Sequence, residues 1–161
     1  MPIEKRWKSV IVSLVMVMPC LLDEVKMNVN IIQRKILFDD YFQVESTVLQ
    51  HEKFDGEMSA SMRRLRLVRG DAAAAVIFHK KKKKLLLCEQ FRYPTYDNGP
   101  GWLLELPAGM LDGDEEPSVG MRRELLEEIG YDVDDLQLIT HFYPAPGGMD
   151  ERIFLFYGEV D

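Results

Sequence analysis

A chain of 161 residues suits one domain with a sizeable core, and 47% hydrophobic with 29% charged residues is the composition of a soluble globular protein. The formal net charge of -7 argues against a general nucleic-acid binder. Cys20 and Cys88 make neither a C-x-x-C pair nor a zinc pattern, which points to a reducing, cytoplasmic setting.

Residues 1–29 read differently from the remainder and are set apart as an extension. Residues 10–22 form an apolar run interrupted by Pro19, behind the basic Lys5-Arg6-Trp7-Lys8. A membrane span needs about 20 residues, so no span is expected here. Asp23-Glu24 follows where a signal peptide would carry small residues. A docking helix, a weak membrane anchor and an extension upstream of a start at Met27 all fit the pattern.

Residues 30–70 alternate strand-like pieces with turns. Residues 31–37 and 41–49 are rich in β-branched and aromatic side chains, with Asp39-Asp40 as the break. Phe54-Asp55-Gly56-Glu57 supplies a second turn, and residues 61–68 alternate arginine with apolar residues. The pattern predicts a small antiparallel sheet ahead of a second region spanning residues 71–161. There, Asp71–His79 reads as a buried strand and residues 85–91 as its partner. Lys80 to Lys84 join them as a solvated hairpin turn. Arg92, at the end of Glu89-Gln90-Phe91-Arg92, is placed either to meet a phosphate, a task that suits a planar guanidinium, or to make a surface ion pair.

The stretch from Gly109 to Tyr131 organises the chain. Gly109 and Gly113 permit tight turns, Pro117 suits a first helical position, and Gly130 suits the residue just past the end. At roughly 100° per residue, Val119, Leu125, Leu126 and Ile129 make one apolar stripe, with Glu124, Glu127 and Glu128 opposite. Like charges at those spacings repel by roughly 0.2–0.5 kcal/mol per pair, and a cation among them reverses the sign. Three clustered carboxylates make a hard-oxygen site suited to Mg²⁺ or Mn²⁺. Residues 112–135 carry ten acids against two arginines, so the rest of the chain is near neutral.

This stretch resembles the Nudix box, G-x5-E-x7-R-E-U-x-E-E-x-G-U. Gly109, Glu115, Arg123, Glu124, Leu125, Glu127, Glu128 and Gly130 fall at the required spacing, and Tyr131 replaces the usual aliphatic residue. The resemblance covers residues 30–161. It implies an α/β fold, the Nudix α/β/α sandwich with a mixed sheet, here without its last helix. It also implies metal ligation by Glu124, Glu127 and Glu128, orientation of a glutamate by Arg123, a supporting role for Glu115 and a backbone carbonyl ligand from Ala108.

The E-Q-x-R element and Trp102 to Ala108 resemble the ADP-ribose pyrophosphatase branch, which implies substrate contacts from Arg92 and Glu105. Pro144-Ala145-Pro146-Gly147-Gly148 and Glu151 resemble ADP-ribose and GDP-mannose pyrophosphatases, which implies the same for Pro146 and Glu151. The branch's N-terminal sheet implies a homodimer. The expected activity is Mg²⁺-dependent (or Mn²⁺-dependent) hydrolysis of a nucleoside diphosphate sugar, ADP-ribose to AMP and ribose 5-phosphate, with GDP-mannose as the alternative substrate. The branch also continues with an acidic loop that often carries a helper glutamate, to which no residue here corresponds. A module that binds nucleotide without turnover therefore stands as a second expectation.

Overall fold

The computed structural model describes residues 27–161. The extension read from residues 10–22 lies outside them. Ten strands, one α-helix and one 3-10 turn make up the described part, in two compact units. One takes the chain up to Arg34 together with Thr47–Arg64, and the other takes Lys35–Ser46 with Leu65–Asp161.

Strands β1 (Val29–Asp39), β2 (Gln43–His51) and β3 (Met62–Val68) form the expected N-terminal antiparallel sheet, in the order β1-β2-β3. Its break falls at 40–42, where the Asp39-Asp40 signal predicts a turn. Every residue of β1 is exposed, among them Ile32, Leu37 and Phe38.

A mixed five-stranded sheet forms the core. β4 (Asp71–His79) lies parallel to β10 (Arg152–Val160), with Ala73 opposite Phe154 and Ala75 opposite Phe156. β5 (Lys84–Leu86) and β8 (Ala108–Met110) pair antiparallel with β4, and β9 (Gln137–Phe142) pairs antiparallel with β10. The run Ala72 to Ala75 suits a central strand covered on both faces, and its small side chains let a helix approach closely. Helix α1 (Pro117–Ile129) packs there, and Ala73, Ala75, Ile77, Met121, Leu125, Val133, Phe156 and Val160 make the core cluster.

The helix ends where the sequence predicts. Glu116 caps the start, accepting the amides of Ser118 at 2.9 Å and Val119 at 3.1 Å, with Pro117 in the first turn. Gly130 adopts φ 72°, and the amides of Gly130 and Tyr131 close onto the carbonyls of Leu126 and Leu125. The bond from Gly130 to Leu126 is the αL closure, which favours glycine at the left-handed position. The apolar stripe is rotated from its expected place: Met121 and Leu125 are buried, whereas Val119 and Leu126 are more than half exposed. Only a narrow band of the helix meets the sheet, and Met121 occupies it.

The expected strand at residues 85–91 is two strands. β5 stays in the central sheet, and β6 (Cys88–Phe91) leaves it to form a separate ribbon with β7 (Trp102–Glu105). The turn between β4 and β5 holds lysines 80–83, all exposed, as expected of a solvated hairpin.

Candidate active site

The loop between β8 and α1, the helix itself and the β6–β7 ribbon position the charged residues. Pro107 is fully buried and its carbonyl accepts the Ala75 amide at 3.0 Å, which fixes the chain just before Ala108. Gly109 then passes beneath Glu124, where an added Cβ would stand 2.0 Å from the Glu124 carboxyl carbon. Any side chain at 109 would evict that carboxylate.

Arg123 is the hub. Its Nη2 donates to Glu115 Oε2 at 3.0 Å and to the Met110 carbonyl at 3.3 Å, while Nη1 donates to Glu124 Oε1 at 2.6 Å. Nη1 also lies 3.7 Å from Glu127 Oε2. Hydrogen bonds donated to Glu115 and Glu124 hold the guanidinium above its ordinary pKa. In turn, Arg123 first and the Asp112 amide second hold the Glu115 carboxyl below its usual range. Glu128 has other partners: its Oε2 accepts the Ala108 amide at 3.0 Å and lies 3.7 Å from Cys88 Sγ.

The ribbon supplies a second ion pair. Arg92 donates to Glu105 through Nε at 3.0 Å and Nη2 at 2.8 Å, and this hydrogen bonding raises the guanidinium pKa. Cys88 stands opposite Glu105 in the register, so the ribbon end that carries Glu105 also reaches Glu128. Among the described residues, no three His, Cys, Asp or Glu side chains converge as a ready-made metal cage.

The NUDIX domain family matches residues 68–161, a span that holds β4 to β10 and all of these charged groups. This chain belongs to that family. Relatives include a GDP-mannose pyrophosphatase from Cronobacter sakazakii, 38% identical over 84% of this chain and 71% of its own length. An ADP-ribose pyrophosphatase from Escherichia coli strain K12 is 36% identical over 84% of this chain and 66% of its own length. The chain thus spans about two thirds of that relative. The fold is similar to that of an ADP compounds hydrolase, with a TM-score of 0.63 at 22% identity, covering 82% of this chain and 67% of the other.

Within this NUDIX domain, the site residues read from the sequence fall into three groups. Arg123 gathers Glu115, Glu124 and Glu127, Glu128 joins Ala108, and Arg92 joins Glu105. Glu151 instead ion-pairs with Arg69 at 3.6 Å, and Pro146 is exposed in the turn from Ala145 to Met149.

Sequence reasoning missed the residues that hold this last loop. Asp150 accepts the Arg69 amide at 2.7 Å and meets Arg66 at 3.2 Å, while the Leu67 amide donates to Gly148 at 2.9 Å. These partners lie about eighty residues apart in the chain, as the separation of 81 for Asp150 and Arg69 illustrates. No local pattern marks them. Cys88 is half-buried beside Glu128, and burial first and Glu128 second push its pKa up.

Proposed function

We propose that this NUDIX protein hydrolyses the diphosphate bond of a nucleoside diphosphate sugar, with ADP-ribose cleaved to AMP and ribose 5-phosphate. The observation that carries the reading is the arrangement around Arg123: one guanidinium organises Glu115, Glu124 and Glu127 beside a Glu128 tied to Ala108. A divalent cation, Mg²⁺ or Mn²⁺, fits this donor set. Mg²⁺ takes only one or two carboxylates and completes its shell with waters and substrate phosphates, so a closed protein cage is not required.

Glu124 and Glu128 would hold the ion, with the Ala108 carbonyl beside them, Glu127 sharing the site and Glu115 near it. When bound, the ion would screen the diphosphate and polarise its oxygens. The chain's own groups do the rest. Arg123 orients Glu115 and Glu124, and Arg92 offers a planar guanidinium to a phosphate oxygen, shared with Glu105. Pro146 and Glu151 shape the sugar side from the anchored loop. Water oxygen forms a new bond to one phosphorus as the bridging P–O bond breaks, and the water protons pass to solvent and the leaving phosphate. We place this activity in a homodimer paired through the N-terminal sheet and in the cytoplasm.

GDP-mannose is a second reading, favoured by the 38% identical relative of that activity. The test is product analysis with purified protein and Mg²⁺, ADP-ribose competing with GDP-mannose, run beside Glu128→Gln. AMP and ribose 5-phosphate from the wild type alone support the first reading, and preferred GDP-mannose cleavage supports the second. Metal-dependent nucleotide binding without product would make the chain a binding module.

A further inference from the structure

Gly120 sits in the interior of α1 and is buried, yet its φ is not among the positive values that call for glycine. Glycine in a helix interior is less stable than alanine, because it loses more backbone freedom on folding. The missing side chain must therefore serve a neighbour. A Cβ at 120 would lie 2.4 Å from Leu111 Cδ2, 2.8 Å from Glu115 Oε2 and 3.1 Å from Glu115 Cδ. The bare patch of helix is the seat of the Glu115 carboxylate.

From that seat Glu115 accepts the Asp112 amide at 3.2 Å and holds Arg123 through Oε2 at 3.0 Å. The same guanidinium already reaches Glu124 at 2.6 Å and stands 3.7 Å from Glu127. Moving Glu115 away would leave Arg123 to Glu124 and Glu127, where its charge competes with a cation. We propose that Gly120 is a positioning residue: its absent side chain seats Glu115, and Glu115 keeps Arg123 from neutralising the metal-side carboxylates. This rests on the metal-site reading above. Both atoms in the way are ends of flexible side chains, so they shift while the helix backbone stays.

The experiment measures Mn²⁺ binding by calorimetry on the full chain, with thermal melting and ADP-ribose turnover alongside, for wild type, Gly120→Ala, Glu115→Ala and the double variant. Gly120→Ala should weaken Mn²⁺ binding about tenfold, the scale of second-layer changes at metal sites, without lowering the melting midpoint. On a Glu115→Ala background it should add less than about twofold, because the seat is already empty. Equal Mn²⁺ affinity in wild type and Gly120→Ala overturns the inference alone, and so does a full additional loss in the double variant. Wild type that binds no Mn²⁺ overturns the metal-site reading along with it. If Gly120→Ala melts without cooperativity, Leu111→Ala is added to relieve the apolar conflict. Restored folding with weak Mn²⁺ binding then upholds the inference, and restoration of both overturns it.

Discussion

The carboxylate of Glu128 accepts the backbone amide of Ala108 at 3.0 Å, tying the helix to the strand twenty positions earlier. Glutamine keeps an oxygen for that hydrogen bond but loses the charge. Glu128→Gln should therefore melt like the wild type while turnover falls by at least about a hundredfold. Steady-state rates and a melt on the same preparation check both halves. Near-normal turnover would remove Glu128 from the metal-binding set.

Arg123 serves Glu115 and Glu124 through different nitrogens, at 3.0 Å and 2.6 Å. A lysine ammonium is one compact charge and cannot span the two carboxylates in the same fixed geometry. Arg123→Lys should therefore behave nearly like Arg123→Ala, losing about 10- to 100-fold in kcat/KM. The lysine variant should also need more Mg²⁺ for half-maximal rate. A lysine variant with wild-type kinetics would show that charge alone suffices at this position.

Much of this site is legible in the sequence because its signals are local. Pro117 and Gly130 bound the helix as punctuation does, and the spacing of Arg123 from the glutamates is a property of one helix. What escapes is decided by distant partners. Nothing between Leu85 and Phe91 marks the change of sheet at Leu87, because the cause is pairing of Cys88 with Glu105. Met121 was missed for a related reason. The helix is apolar on several sides, and its packing with the cluster that includes Ala73, Ala75, Ile77 and Phe156 decides which side is buried. Gly120 is silent until the Glu115 rotamer is known.

Arg92 makes a two-point pair with Glu105, its Nη2 at 2.8 Å, and is partly open to solvent. A substrate phosphate would meet a guanidinium already oriented by that partner. Hydrogen bonds to charged groups contribute about 1.5–3 kcal/mol, so Arg92→Ala should raise KM for the nucleotide sugar by about 10- to 100-fold. The chemical step should suffer less, and kcat should change by under about fivefold if the contact is uniform binding. A fall in kcat with unchanged KM would move Arg92 from binding to the reaction itself.

β1 is an edge strand whose eleven residues are all exposed, with Ile36 at 42% and Phe38 at 53% on one face. A long, apolar, unprotected edge invites pairing with another strand, and charges placed on it oppose that. If the proposed homodimer pairs through this edge, wild type should sediment as a dimer and Ile36→Lys combined with Phe38→Lys as a monomer in sedimentation velocity. Monomeric wild type at micromolar concentration would exclude the proposed homodimer.

Tyr157 gives a pH signature separate from the acidic site. Its hydroxyl donates to Glu159 Oε1 at 2.7 Å, and burial, aided by that carboxylate, pushes its pKa up to about 12. The folded state therefore holds this proton where an unfolded tyrosine, near 10.0, gives it up. Raised in the fold, the group contributes stability that is complete below pH about 10 and is lost as pH climbs toward about 12. Tyr157→Phe loses the hydrogen bond, so at pH about 8 it should be less stable by about 0.5–1.5 kcal/mol. Phenylalanine has no proton to lose, so the gap between the two melting midpoints should narrow above pH about 10. Paired melts across that range cancel the other titrating groups. A gap that stays constant would mean that Tyr157 ionises at its ordinary pH.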